Sequence, residues 1–296
     1  MWINCTFHKV NKIILILPPQ LNFLKTAFDI TIPSNLNQPL NLIVELSPHS
    51  LSVLWYSKDP LTMQAVSVYQ CSAGEDMNKM LQQLLTGLQN NPVQPDQVFC
   101  CLHTQASILI PENHYNPSLN DDLLEQLCGE QEGVRTVIEP IPSMQIQHIY
   151  YMPLWWENLI RKTYPDVQFR HSSTLQLKTI HTGNYLKLII YHENVKLILF
   201  KESQLQMIHS FPYETPDDVL YHILNSLKHA EILKDAISIS LAGMVDRDSA
   251  LFEKLVQYLP HIEFQNLPEG IMRSEGISAY PEHFFAHLMH FASCVS

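Results

Sequence analysis

Glycine is scarce in this sequence, with eight among 296 residues. Neither G-x-G-x-x-G nor the P-loop pattern occurs, and the G-x-S-x-G elbow of serine hydrolases is missing too. Six cysteines (Cys5, Cys71, Cys100, Cys101, Cys128 and Cys294) are scattered without a C-x-x-C pair. That spacing speaks against a zinc ribbon or a disulfide framework and fits a reducing cytosol. Basic residues are few, 18 Lys and Arg against 29 Asp and Glu, for a formal net charge of −11. No nucleic-acid partner is expected, because such a surface needs clustered cations to displace counterions. No apolar run reaches the roughly 20 residues of a membrane helix. Ile13–Leu17 is short and lacks the small-residue cleavage site of a signal peptide, so residues 1–24 read as an N-terminal extension.

What the sequence does have is a duplication. Slid by 142 positions, Val53 falls on Val195, Trp55 on Leu197, Met63 on Leu205, Tyr69 on Phe211, Met77 on Val219 and Leu85 on Leu227. Each copy reads as three short β-rich runs bounded by turn residues, followed by an amphipathic helix. In the first copy the runs are 42–46, 51–57 and 62–69. Ser72 can cap the helix whose stripe is Met77, Met80, Leu81, Leu84, Leu85 and Leu88. A buried strand, Val98–His103, follows as in a parallel crossover. In the second copy the runs are 185–191, 195–200 and 204–211. Thr215 is an N-cap with Pro216 at the first helical position and Asp217-Asp218 at the positive end of the helix. Strand 237–241, helix 249–259 and strand 262–264 complete it.

A further pair, Phe169 and Phe264, matches at an offset of 95 instead of 142, so the first copy carries an insertion of about 47 residues. We place it at 106–151, as a compact subdomain, because a structureless loop of that length is unusual inside a domain. The expected organisation is 25–178 for the first half with this insertion, and 179–296 for the second half with a C-terminal helix.

The order β-β-β-α-β-α-β, twice, resembles the actin-like ATPase superfamily over about residues 40–290. The implied fold is α/β: two RNase H-like halves with a cleft between them. The position of the insertion looks more like the bacterial cell-division and pilus-assembly members than like actin. The whole chain is also similar to an uncharacterised bacterial family thought to share this fold.

The resemblance implies Mg·ATP held on two hairpins, one per half, each with an Asp and a Gly. Here the first hairpin reads Glu45-Leu46-Ser47-Pro48-His49 and the second Tyr191-His192-Glu193-Asn194. Neither has the Asp or the Gly, and Pro48 removes a donor. The adenosine motif after the fourth strand reads Leu241-Ala242-Gly243-Met244, with one glycine of two. The expectation is therefore no enzyme and no cofactor, but a cytoplasmic interaction or scaffold protein with a protein partner. The alternative is a residual ATP-binding protein or ATPase using Glu45, Ser47, Glu193 and Gly243 in altered roles. A small-molecule sensor using the cleft is a third reading.

On the last helix, His283, His287, His290 and Cys294 follow i, i+4, i+7, i+11. Imidazole and thiolate ligate metals, and the pair His283/His287 has chelating spacing. A straight helix cannot aim all four at one ion, so beside the apolar Phe284, Phe285, Leu288 and Phe291 they read as a polar flank, with no metal expected.

Overall fold

The computed structural model describes residues 25–32, 38–71, 76–178 and 182–295. The expected N-terminal extension 1–24 and the expected cap Ser72 lie outside the described residues.

The first half contains strands β1 (Lys25–Ile30), β2 (Asn41–Leu46), β3 (Ser50–Ser57) and β4 (Thr62–Gln70), then helix α1 (Met77–Gln89) and β5 (Val98–Leu102). The insertion supplies β6 (Ser107–Pro111), α2 (Asn120–Cys128), β7 (Val134–Ile141) and β8 (Ile146–Pro153). Helices α3 (Leu154–Thr163) and α4 (Ser172–Gln176) flank β9 (Gln168–His171). The second half runs β10 (Tyr185–Tyr191), β11 (Asn194–Lys201), β12 (Gln204–Pro212), α5 (Pro216–His229), β13 (Ser238–Gly243), α6 (Ala250–Tyr258) and β14 (Ile262–Phe264). After it come β15 (Met272–Arg273), α7 (Glu275–Ser278) and α8 (Ala286–Val295).

The two main sheets share one order. The first is β4-β3-β2-β5-β9 and the second β12-β11-β10-β13-β14, in each case the third, second, first, fourth and fifth strands of the copy. Thr215 caps α5 in a full capping box with Asp218, as its sequence demands, while the side chain of Asp76 caps α1.

The ladders revise the alignment at one place. Ser47 and Ser50 close the first hairpin as Tyr191 and Asn194 close the second, so Leu51 corresponds to Val195 and Val53 to Leu197. Tyr69 still corresponds to Phe211, because Leu51 pairs Tyr69 and Val195 pairs Phe211. The two-residue difference is absorbed in the next turn, 58–61 in the first half against 202–203 in the second. A slip of two keeps every side chain on its own face, so the apolar pattern is blind to it. Phe169 and Phe264 are equivalent as expected, one beside Cys100 and the other beside Leu241.

Alternation divides the core into layers. Leu42, Val44, Leu46, Val53 and Trp55 face α1 and α3; Leu186, Leu188, Ile190, Val195 and Leu197 face α5 and α6. The opposite face of the first sheet, with Ile43, Leu54, Tyr56 and Phe99, is covered by Leu288, Met289 and Phe291 of α8 and by Leu175 of α4. β15 also joins the first sheet, parallel to β4. Thus the chain after β14 returns to the first half.

The insertion forms its own three-stranded sheet, β6-β8-β7. Its Tyr150 and Met152 enter the core of the first half, and Ile141 and Ile146 pack on Ile198 and Phe200 of the second. It therefore packs against both halves.

Candidate functional site

The inward faces of the two sheets meet beside the first turn of each half. On β2, Glu45 sits between Ser52 of β3 and Cys101 of β5. Its neighbours Val44 and Leu46 face the helices, so Glu45 must face the second half, where it is 1% exposed. The Tyr191 hydroxyl donates to Glu45 Oε1 at 3.1 Å. Glu45 Oε2 faces His287 Nε2 at 3.5 Å, too long for a hydrogen bond. Burial and the neighbouring carboxylate of Glu45 push the Tyr191 hydroxyl well above its usual range.

Around this contact lies a polar layer. His103 Nε2 is 2.9 Å from Ser210 Oγ, and burial holds the imidazole neutral. Lys196, completely buried on β11, donates from Nζ to Ser172 Oγ at 2.6 Å and Ser173 Oγ at 3.2 Å. Desolvation lowers its pKa to about 7, against the opposing pull of Glu45. Glu139 of the insertion accepts the Tyr150 hydroxyl at 2.8 Å and the His171 backbone N–H at 3.1 Å. His171 Nδ1 in turn accepts from Ser173 N–H, which places the ring at the start of α4. Apart from Glu45 Oε2 and His103 Nδ1, which have no hydrogen-bond partner among the described residues, these groups satisfy one another, as burial requires.

The first hairpin is closed upon itself. Ser47 N–H donates to Ser50 O at 3.0 Å, and Ser47 Oγ accepts from the N–H of His49 at 3.3 Å and of Ser50 at 2.9 Å. With Pro48 lacking an N–H, every backbone donor of this turn is spent or absent. In the second hairpin Glu193 adopts φ 56°, a conformation in which glycine would be easy, and its carboxylate is 3.5 Å from His192 Nε2. Between the two turns, the space among Ser47, His49, His103, Tyr191 and Asn194 is too narrow for a water. The first hairpin does not fit the Mg·ATP that the resemblance implied: its backbone donors are consumed and Glu45 is held at Oε1 by Tyr191.

Gly243 has a different reason to be glycine. Its φ is +88°, and a Cβ there would stand 2.1 Å from Ile190 O. The end of β13 presses on β10, where Met244 N–H donates to Ile190 O. Glu45 and Ser47 thus reach the interface, Glu193 lies at its rim, and Gly243 serves the backbone.

The histidine stripe is buried, where the sequence implied a polar flank. His283 bonds Val245 O at 2.8 Å, His290 bonds Leu175 O at 3.0 Å, and His287 faces Glu45. The stripe is not on one helix, since His283 lies in the turn Glu282–Phe284 ahead of α8. It points inward because this turn and α8 pack on the first sheet, α4 and β13. His283 and His287 address different elements, and among the described residues no three His, Cys, Asp or Glu side chains converge as a metal set. Sequence reading passed over Tyr191, His103, His171 and Lys196. Lys196 left a signal: a lone lysine at an inward position of the apolar run VKLILF.

Among the described residues no helix is long and apolar enough to cross a membrane. No curated protein sequence matches the chain. Solved structures do. A Bacteroides thetaiotaomicron protein with actin-like ATPase fold and unknown function aligns over 81% of this chain and 94% of its own, at 15% identity and a TM-score of 0.64. A chain of the PilM–PilN type IV pilus biogenesis complex aligns over 86% and 98%, at 12% identity and a TM-score of 0.60. The fold is the actin-like ATPase fold, with its two halves built on one strand order. A family model spans residues 32–262, and the chain belongs to that family, a protein of unknown function (DUF3822).

Proposed function

We propose that this chain is a non-catalytic interaction protein, working in the cytoplasm through a protein partner on an actin-like plan. One observation carries the reading: the hairpin that would cradle phosphates gives its donors to Ser47 Oγ instead. Phosphoryl transfer needs free donors and a metal-organising carboxylate that follow the charge into the transition state. Glu45 is held by Tyr191 in the interior. PilM, which has the same fold at 12% identity, stands in a complex with PilN, and this supports a protein as the partner.

The test is calorimetry and a phosphate-release assay with Mg·ATP. The expected result is no binding heat, no thermal shift, and phosphate release at background, unchanged by Glu45→Ala. Turnover that is lost on Glu45→Ala or Glu193→Ala would overturn the reading in favour of an unusual ATPase.

A further inference from the structure

Two strand edges face each other across a groove. β6 is the outer strand of the inserted sheet and β12 the outer strand of the second sheet; among the described residues neither edge has a strand partner. The groove between them holds about 590 Å³. Leu109, Ile146, Leu205 and Ile208 form its apolar part, and the hydroxyls of Thr104, Ser173 and Ser210 lie at the end nearest the hairpins. Among the described residues no Lys, Arg, Asp or Glu lines it, although the chain carries a net charge of −11.

The edges run in opposite senses. β6 leaves the hairpin end just after Gln105, whereas β12 arrives there with Ser210 beside His103. A strand laid between them pairs antiparallel with one and parallel with the other, and both ladders are sound. The internal duplication shows what such an edge accepts. β4, the equivalent of β12 in the first half, carries β1 along its outer side as an antiparallel strand. The matching position on β12 is the groove.

We propose that the groove takes an extended, uncharged segment of a partner protein, about five residues long like β6, as an added strand joining the two sheets. Unpaired backbone groups of both edges supply affinity. A charged side chain would lose its hydration there without a counter-charge. Residues turned toward Leu109, Leu205 and Ile208 are apolar and those turned outward polar, by the alternation of a strand. This deepens the interaction-protein reading and rests on it.

The test pans a phage-displayed random decapeptide library on the full chain, then follows amide hydrogen exchange of the complex with a selected peptide. The expected peptides are uncharged with apolar residues at alternate positions. They slow exchange in both β6 and β12 at least tenfold. Gln206→Arg, at an exposed wall position, and Leu109→Arg each weaken binding at least tenfold. Gln206→Arg keeps the test valid if Leu109→Arg fails to fold. The proposal is overturned by failure to select any peptide, by binding indifferent to the variants, or by protection elsewhere. Protection of the two strands that grows with concentration of the chain alone overturns it in favour of a second copy. Slow exchange in the dilute free chain overturns it in favour of the chain's own residues. Any of these outcomes with Mg·ATP still unbound leaves the interaction-protein reading standing, whereas ATP turnover with peptide binding intact removes only that reading.

Discussion

The hydroxyl of Tyr191 and the carboxylate of Glu45 stand 146 positions apart in the chain and meet at 3.1 Å across the interface of the two halves. The bond, at Oε1, holds a buried carboxylate whose Oε2 has no hydrogen bond among the described residues. Tyr191→Phe leaves that group short of a donor, and an unsatisfied buried acceptor costs about 1–3 kcal/mol. Denaturant unfolding of Tyr191→Phe, Glu45→Gln and the double variant measures it. A coupling below about 0.5 kcal/mol would take this bond out of the account.

Gly243→Ala meets two obstacles at once, a φ of +88° and a Cβ position 2.1 Å from Ile190 O. The expected loss is about 3 kcal/mol or more. Gly183 shares a positive φ, 72°, but a Cβ there meets nothing within 4 Å. Gly183→Ala should therefore cost only about 1 kcal/mol. Equal losses in thermal melts of the two variants would show that the close approach of β13 to β10 is not what fixes Gly243.

Acid should destabilise the fold before most carboxylates titrate. Burial lowers His148 from 6.5 to about 3. Between those values the unfolded chain binds a proton that the folded chain refuses, so stability rises with pH. As pH falls, this one group removes about 1.4 kcal/mol per pH unit within that window. His103 and His171 are lowered by the same cause and add to the slope. Melting temperatures between pH 7 and 4 should fall steeply, and less so in His148→Gln. A parallel profile in the variant would place the acid sensitivity elsewhere.

Phe291 of α8 is fully buried in the layer between the halves. Phe291→Ala should cost about 3–5 kcal/mol. Because α8 touches both the first sheet and β13, calorimetry should still show one transition at lower temperature. Two separated transitions would mean that the halves unfold independently.

The duplicated plan was legible because each copy repeats strand alternation and then a helical stripe, signals that span five to fourteen residues. Thr215 and Pro216 announced their helix directly. The slip at Val53 was not legible, since a displacement of two residues leaves the face pattern unchanged. β15 escaped because two residues carry no periodicity, and its partner β4 lies some 210 positions earlier in the chain. The site was half visible. Glu45 and Ser47 were singled out by position, but their partners Tyr191 and His287 arrive from the other half, and no local pattern encodes that meeting. His283, His287 and His290 misled in a specific way: on an isolated helix they form a polar edge, and only the second wall of the interface turns that edge inward.

The return of the chain to its first sheet bears on synthesis. Ile43, Leu54, Tyr56 and Phe99 are covered by Leu175 of α4 and, for the most part, by residues between Ile277 and Ala292. A ribosome that has completed both copies up to Phe264 has therefore produced a first half with one apolar side still facing water. Until the following residues leave the exit tunnel, that side is open to chaperones or to a neighbouring nascent chain.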